Sequence, residues 1–159
     1  MADRIAEAAP TLNDKADYFG TTKTAPTGVF DRLEAQFEIA AGTMIAGLTN
    51  VVTLQFDELS RTTYPGIGSM HAGIGHGQVK NMIESRRAIC GLHFTQIARI
   101  AAALQSVPEG NGSMLDNTLM IYLSDNGESH HSSGVNYGLL LLGDLGGRLK
   151  RRRYFSPGQ

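Results

Sequence analysis

At 159 residues the chain is long enough for one domain with a real core, and short for two. Its 42% hydrophobic and 18% charged residues are those of an ordinary globular protein and exclude a disordered one. A formal net charge of -1 supplies no global field toward nucleic acid or an anionic membrane, so neither is an expected partner.

Residues 1–27 are polar and broken by Pro10, Gly20 and Pro26, which predicts a poorly structured leading segment after a short helical tail near Ile5. Its first residues lack the apolar core of a signal peptide, and no run is long enough to span a membrane. The compartment stays open. Thr27 is the expected N-cap of a helix with Asp31 in its first turn. Phe30, Leu33, Phe37, Ala41, Met44 and Leu48 recur at steps of three and four and predict its buried face, with Asn50 ending it.

Residues 51–56, Val-Val-Thr-Leu-Gln-Phe, read as a short strand covered on both faces. A long Gly- and His-containing connection follows over 58–78, a length that usually marks function or disorder. The spacing predicts a second helix over 79–106, with Ile89, His93, Ile97, Ile100 and Leu104 as its buried stripe and Pro108 past its end. Two apolar strands are predicted over 118–123 and 137–142. The strand–helix–strand order implies right-handed crossovers and parallel pairing, hence an α/β fold. Functional groups in such sheets gather at the carboxyl ends of strands, where both His-containing loops fall. Residues 28–150 read as one structural region and 151–159 as a basic tail.

The loop after the second predicted strand holds Asp125, Asn126, Glu128, His130 and His131. Oxygen donors and imidazoles so close in sequence can ligate a divalent metal, and Gly127 lets the backbone turn there. The competing reading is a polar turn built on Asp-Asn-Gly. The earlier loop, Met-His-Ala-Gly-Ile-Gly-His-Gly from Met70 to Gly77, holds His71 and His76; alone, two such residues read as exposed histidines. His93, on the apolar stripe, is expected to be a hydrogen-bonded core residue, and Cys90, the only cysteine, a small buried hydrophobe. Ser129, Ser132 and Ser133 sit in no nucleophile elbow and read as loop hydroxyls. The run Lys150-Arg151-Arg152-Arg153 reads as a solvated tail. No phosphate-binding loop, dinucleotide fingerprint or zinc-finger spacing is present.

Several stretches together resemble a family of large bacterial proteins with a domain of unknown function, named for its HXXSHH motif. They are Leu-Thr-Asn-Val-Val-Thr-Leu from Leu48, the Met70 to Gly77 loop, and His-Phe-Thr-Gln-Ile-Ala from His93. Most specific is Gly-Ser-Met-Leu-Asp-Asn-Thr-Leu-Met-Ile-Tyr from Gly112, followed by Ser-Asp-Asn-Gly-Glu-Ser-His-His from Ser124. Leu-Leu-Gly-Asp-Leu-Gly-Gly-Arg-Leu-Lys from Leu141 closes the matching region, which runs from about Val29 to Lys150. That family looks related to the alkaline phosphatase and sulfatase superfamily.

The resemblance implies part of an alkaline phosphatase-like parallel-sheet sandwich with flanking helices, an incomplete domain. It implies a divalent metal (calcium, zinc or magnesium) held by Asp125, Asn126 and His130 or His131, with His71 and His76 as a second cluster and Glu128 orienting a ligand or a water. The substrate implied is a small phosphate or sulfate ester or a related anion. The pattern departs from the family's in three respects. Gly77 stands where a second His is expected, His71 falls one place early, and nothing matches the superfamily's nucleophile strand. The chain is therefore expected to be inactive alone, as a fragment of a hydrolase-like protein, with a non-catalytic metal-binding or structural domain as the alternative. Export of full-length relatives is left open.

Overall fold

The computed structural model describes residues 25–56, 63–124 and 138–150, with isolated positions 6, 7, 10 and 14 before them. These residues form a mixed α and β structure in two compact units, Met1–Leu104 and Gln105–Gln159. No helix among the described residues is long and apolar enough to cross a membrane.

In the first unit, helix α1 spans Val29–Ile45. Gly28, not Thr27, occupies its N-cap, and no side chain caps it. The Thr27 carbonyl instead accepts from Nη1 of Arg32 at 3.3 Å. Leu33, Phe37 and Ala41 are buried as their spacing requires, joined by Ala40 and Ile45. Phe30 lies at the border of this face and is 41% exposed. The helix ends at Ile45, with Ala46 as its C-cap, rather than at Asn50. Gly47, at φ 69°, donates to the Met44 carbonyl and Leu48 donates to that of Thr43, the paired bonds of a Schellman cap.

Residues 51–56 are not a strand, which corrects the sequence reading. The Thr49 hydroxyl donates to the Val51 carbonyl at 2.8 Å and accepts from the Val51 amide at 3.2 Å, a local alternative to a sheet ladder. Phe56 nevertheless packs on Phe37 (centroids 5.5 Å apart) and edge-on against His93 (4.5 Å).

Helix α2, Met82–Ser106, starts three residues later than the spacing predicts. Its buried residues are Ile89, His93, Ile97, Ile100 and Leu104, the predicted stripe. Cys90 is half-buried rather than enclosed. Ile89 joins Tyr64 and Ile74 in a core cluster, with Val29, Ile67, Met70, Val79 and Leu92 packed around it. On the solvent side Arg99 of α2 pairs with both Glu34 and Glu38, one turn apart on α1. The two helices are thus linked by the Arg99 ion pairs and by Phe56, which touches Phe37 of α1 and His93 of α2.

In the second unit Pro108–Glu109 (β1) and Gly112–Ser113 (β2) form a hairpin through Gly110 and Asn111, so the Pro-Gly run that ends α2 also builds a turn. Gly110, at φ 58°, supplies the left-handed residue such a two-residue loop needs. A 3-10 turn, Met114–Asn117, follows. Oδ2 of Asp116 accepts from the Ser113 amide at 2.9 Å and from its hydroxyl at 2.8 Å, locking the entry to that turn.

Met120–Leu123 (β3) and Leu139–Leu142 (β4) then pair antiparallel, with Ile121 opposite Leu141 and Leu123 opposite Leu139. This overturns the expected parallel pairing, and the described residues contain no parallel-sheet sandwich. Strand order in a sequence does not carry strand direction, and here the chain reverses between the two strands. The face made by Ile121, Leu123, Leu139 and Leu141 is open, each residue being 48% to 57% exposed. After β4, Gly143 (φ 97°), Leu145 (52°), Gly146 (68°) and Gly147 (83°) wind the chain through left-handed conformations. The Gly146 amide donates to the Asp116 carbonyl at 2.7 Å and fixes this segment to the 3-10 turn.

Candidate functional site

The connection read from sequence as one long loop contains two built turns. The first is Tyr64-Pro65-Gly66-Ile67, closed by the Ile67 amide donating to the Tyr64 carbonyl at 3.1 Å. Proline at its second position and Gly66 at φ 76° in its third fit a type II turn. Tyr64 also exchanges both backbone hydrogen bonds with Gly68, at 2.8 and 2.9 Å.

The second is a π-helical turn, Met70–Gly75, a rare element often found at functional positions. Ser69 caps it, its hydroxyl accepting from the Ala72 amide at 2.9 Å. The bond that defines the wide turn is the His76 amide donating to the His71 carbonyl at 3.0 Å.

That bond has a consequence for the two side chains. On an α-helix, at 3.6 residues per turn, residues five apart point roughly 140° away from each other. The wider turn brings them back to one side. Nε2 of His71 and Nε2 of His76 lie 3.2 Å apart, with ring centroids at 4.8 Å and planes at 77°. His71 is half-buried and His76 exposed, so the pair opens to solvent. In a neutral pair one ring donates and the other accepts.

The same separation suits two imidazoles on one ion. Metal–nitrogen bonds of about 2.0–2.1 Å at a tetrahedral angle place the nitrogens about 3.3 Å apart. The residues present therefore fit two positions of a coordination sphere. Among the described residues no group of three His, Cys, Asp or Glu side chains completes one.

The other residues singled out by sequence fall differently. His93 is 2% exposed, and its Nε2 lies 3.0 Å from the Tyr64 hydroxyl. It is the expected core histidine. Asp125, Asn126, Glu128, His130 and His131 lie outside the described residues, as do Ser129, Ser132, Ser133 and Arg151 to Arg153.

Sequence reasoning placed His71 and His76 in one loop but missed what joins them. The signal was available as spacing: a Ser two positions before the first His, and a Gly two positions after it. Gly73 is the telling position. A Cβ built there would lie 2.6 Å from the Ile67 carbonyl oxygen, closer than real side chains come. The type II turn and the π-turn meet at that glycine. No family model, curated protein or solved structure matches the chain.

Proposed function

We propose that the chain binds a divalent transition metal through His71 and His76. The 3.2 Å separation of their Nε2 atoms carries this reading. Imidazole favours zinc, nickel, cobalt or copper, whereas calcium and magnesium favour oxygen donors. The resemblance to the HXXSHH family extends the proposal to part of a hydrolase-like protein acting on phosphate or sulfate esters. A bound metal would there polarise the ester and activate a nucleophile. The support for that extension is the motif content of the sequence, not the strand pairing.

Titration of the purified chain with zinc tests the proposal. Wild type is expected to bind, while His71→Ala and His76→Ala each weaken binding by about tenfold or more. Binding unchanged in both variants would falsify the assignment. Asp125→Ala tests the oxygen-donor segment separately through the number of ions bound.

A second reading draws on the hydrogen bond between the two rings. In that reading the pair closes the π-turn without metal, as a structural clasp. It predicts that both alanine variants lose stability and that zinc leaves the melting temperature unchanged.

A further inference from the structure

We infer that Gly73 is the positioning residue of the His71–His76 pair; this rests on the metal-binding reading above. Three observations carry it. The two rings meet only because the segment winds as a π-turn, whose defining bond joins the backbones of the same two residues. The turn is seated against the Ile67 carbonyl, and the absent side chain of Gly73 is what permits that approach. The carbonyl itself has little freedom to retreat. Ile67 belongs to the turn closed on Tyr64, and Tyr64 is 1% exposed and anchored through its hydroxyl to buried His93.

Any side chain at 73 must therefore move the π-turn rather than its neighbour. The Gly73 amide donates to the Ser69 carbonyl at 2.8 Å, and the Gly73 carbonyl accepts from the Val79 amide at 3.0 Å. Shifting residue 73 disturbs both bonds, one before His71 and one after His76. A relaxation toward α-helical winding turns the two imidazoles away from each other. Gly73 touches no metal; it acts by keeping two ligands on the same side of the backbone.

The test uses the full chain, zinc titration calorimetry, and copper(II) electron paramagnetic resonance, which reports how many imidazole nitrogens the ion carries. Wild type is expected to show two. Gly73→Ala is expected to lose about 10- to 100-fold in zinc affinity, the range typical of groups that orient ligands, and to show one nitrogen. Gly91→Ala on α2, where a Cβ meets nothing within 4 Å, serves as control and is expected to bind as wild type. Should Gly73→Ala not fold, Ser69→Ala loosens the same turn without a clash. It is then expected to lower zinc affinity and the share of two-nitrogen copper. Wild-type affinity with two nitrogens in Gly73→Ala, or in Ser69→Ala where that variant is used, overturns the positioning role and leaves the metal-binding reading standing. Absence of metal binding by wild type overturns that reading and the inference with it.

Discussion

The Tyr64 hydroxyl and Nε2 of His93, twenty-nine positions apart in sequence, meet at 3.0 Å inside the core of the first unit. Both residues are almost fully enclosed, at 1% and 2% exposure. Tyr64→Phe takes this partner from a buried ring nitrogen while keeping the aromatic volume. Loss of a buried partner costs about 1–3 kcal/mol. Chemical denaturation is expected to show a loss in that range with an unchanged slope. A loss below about 0.5 kcal/mol would show that the bond contributes little.

Ile89 and Leu104 on α2 are both 0% exposed, whereas Ile83 near the start of the same helix is 64% exposed. Ile89→Ala and Leu104→Ala are each expected to cost about 2–5 kcal/mol through lost burial and the cavity left behind. Ile83→Ala is expected to stay within about 0.5 kcal/mol of wild type. Thermal unfolding of the three variants side by side measures the contrast, and equal losses would contradict the observed stripe.

The helical stripes were legible because a 3.6-residue period repeats several times over α2 and averages out local exceptions. His93 was legible for the same reason, since a polar residue inside an apolar stripe must find a partner. The strands were legible as apolar runs near 120–123 and 139–142, but their direction was not, because pairing depends on the route of the chain between them. Residues 51–56 have strand composition, yet Thr49 engages the backbone of Val51 in a local turn. The π-turn was the least legible element. Nothing in apolar periodicity marks a six-residue turn held by Ser69 and by a carbonyl packed on Gly73.

Gly143 and Gly147 both adopt left-handed backbone, at φ 97° and 83°, yet they differ in surroundings. A Cβ at Gly143 would lie 2.1 Å from the Thr118 carbonyl oxygen, while at Gly147 nothing lies within 4 Å. Gly147→Ala is expected to cost about 1–2 kcal/mol, the backbone penalty alone. Gly143→Ala carries the clash as well and is expected to cost on the order of 4 kcal/mol or more. Comparable costs in urea unfolding would show that the Thr118 contact is relieved easily.

Arg99 reaches both Glu34 and Glu38, but its side chain is 49% exposed. Water and salt screen such a cluster, so Arg99→Ala is expected to cost only about 0.5–1 kcal/mol. The difference from wild type should shrink further in 1 M salt, where screening acts over about 3 Å. A difference that persists at high salt would assign the stabilisation to packing of the Arg99 stem instead.

The β3–β4 ribbon, four residue pairs long, also has a consequence in time. Its open aliphatic face leaves the inter-strand amides one short opening away from solvent, whereas amides under the Ile89–Leu104 stripe reach solvent only when the core separates. In deuterated buffer the ribbon should label orders of magnitude earlier than the middle of α2. The two units would then register as two clocks, one set by local fraying and the other by the lifetime of the folded core.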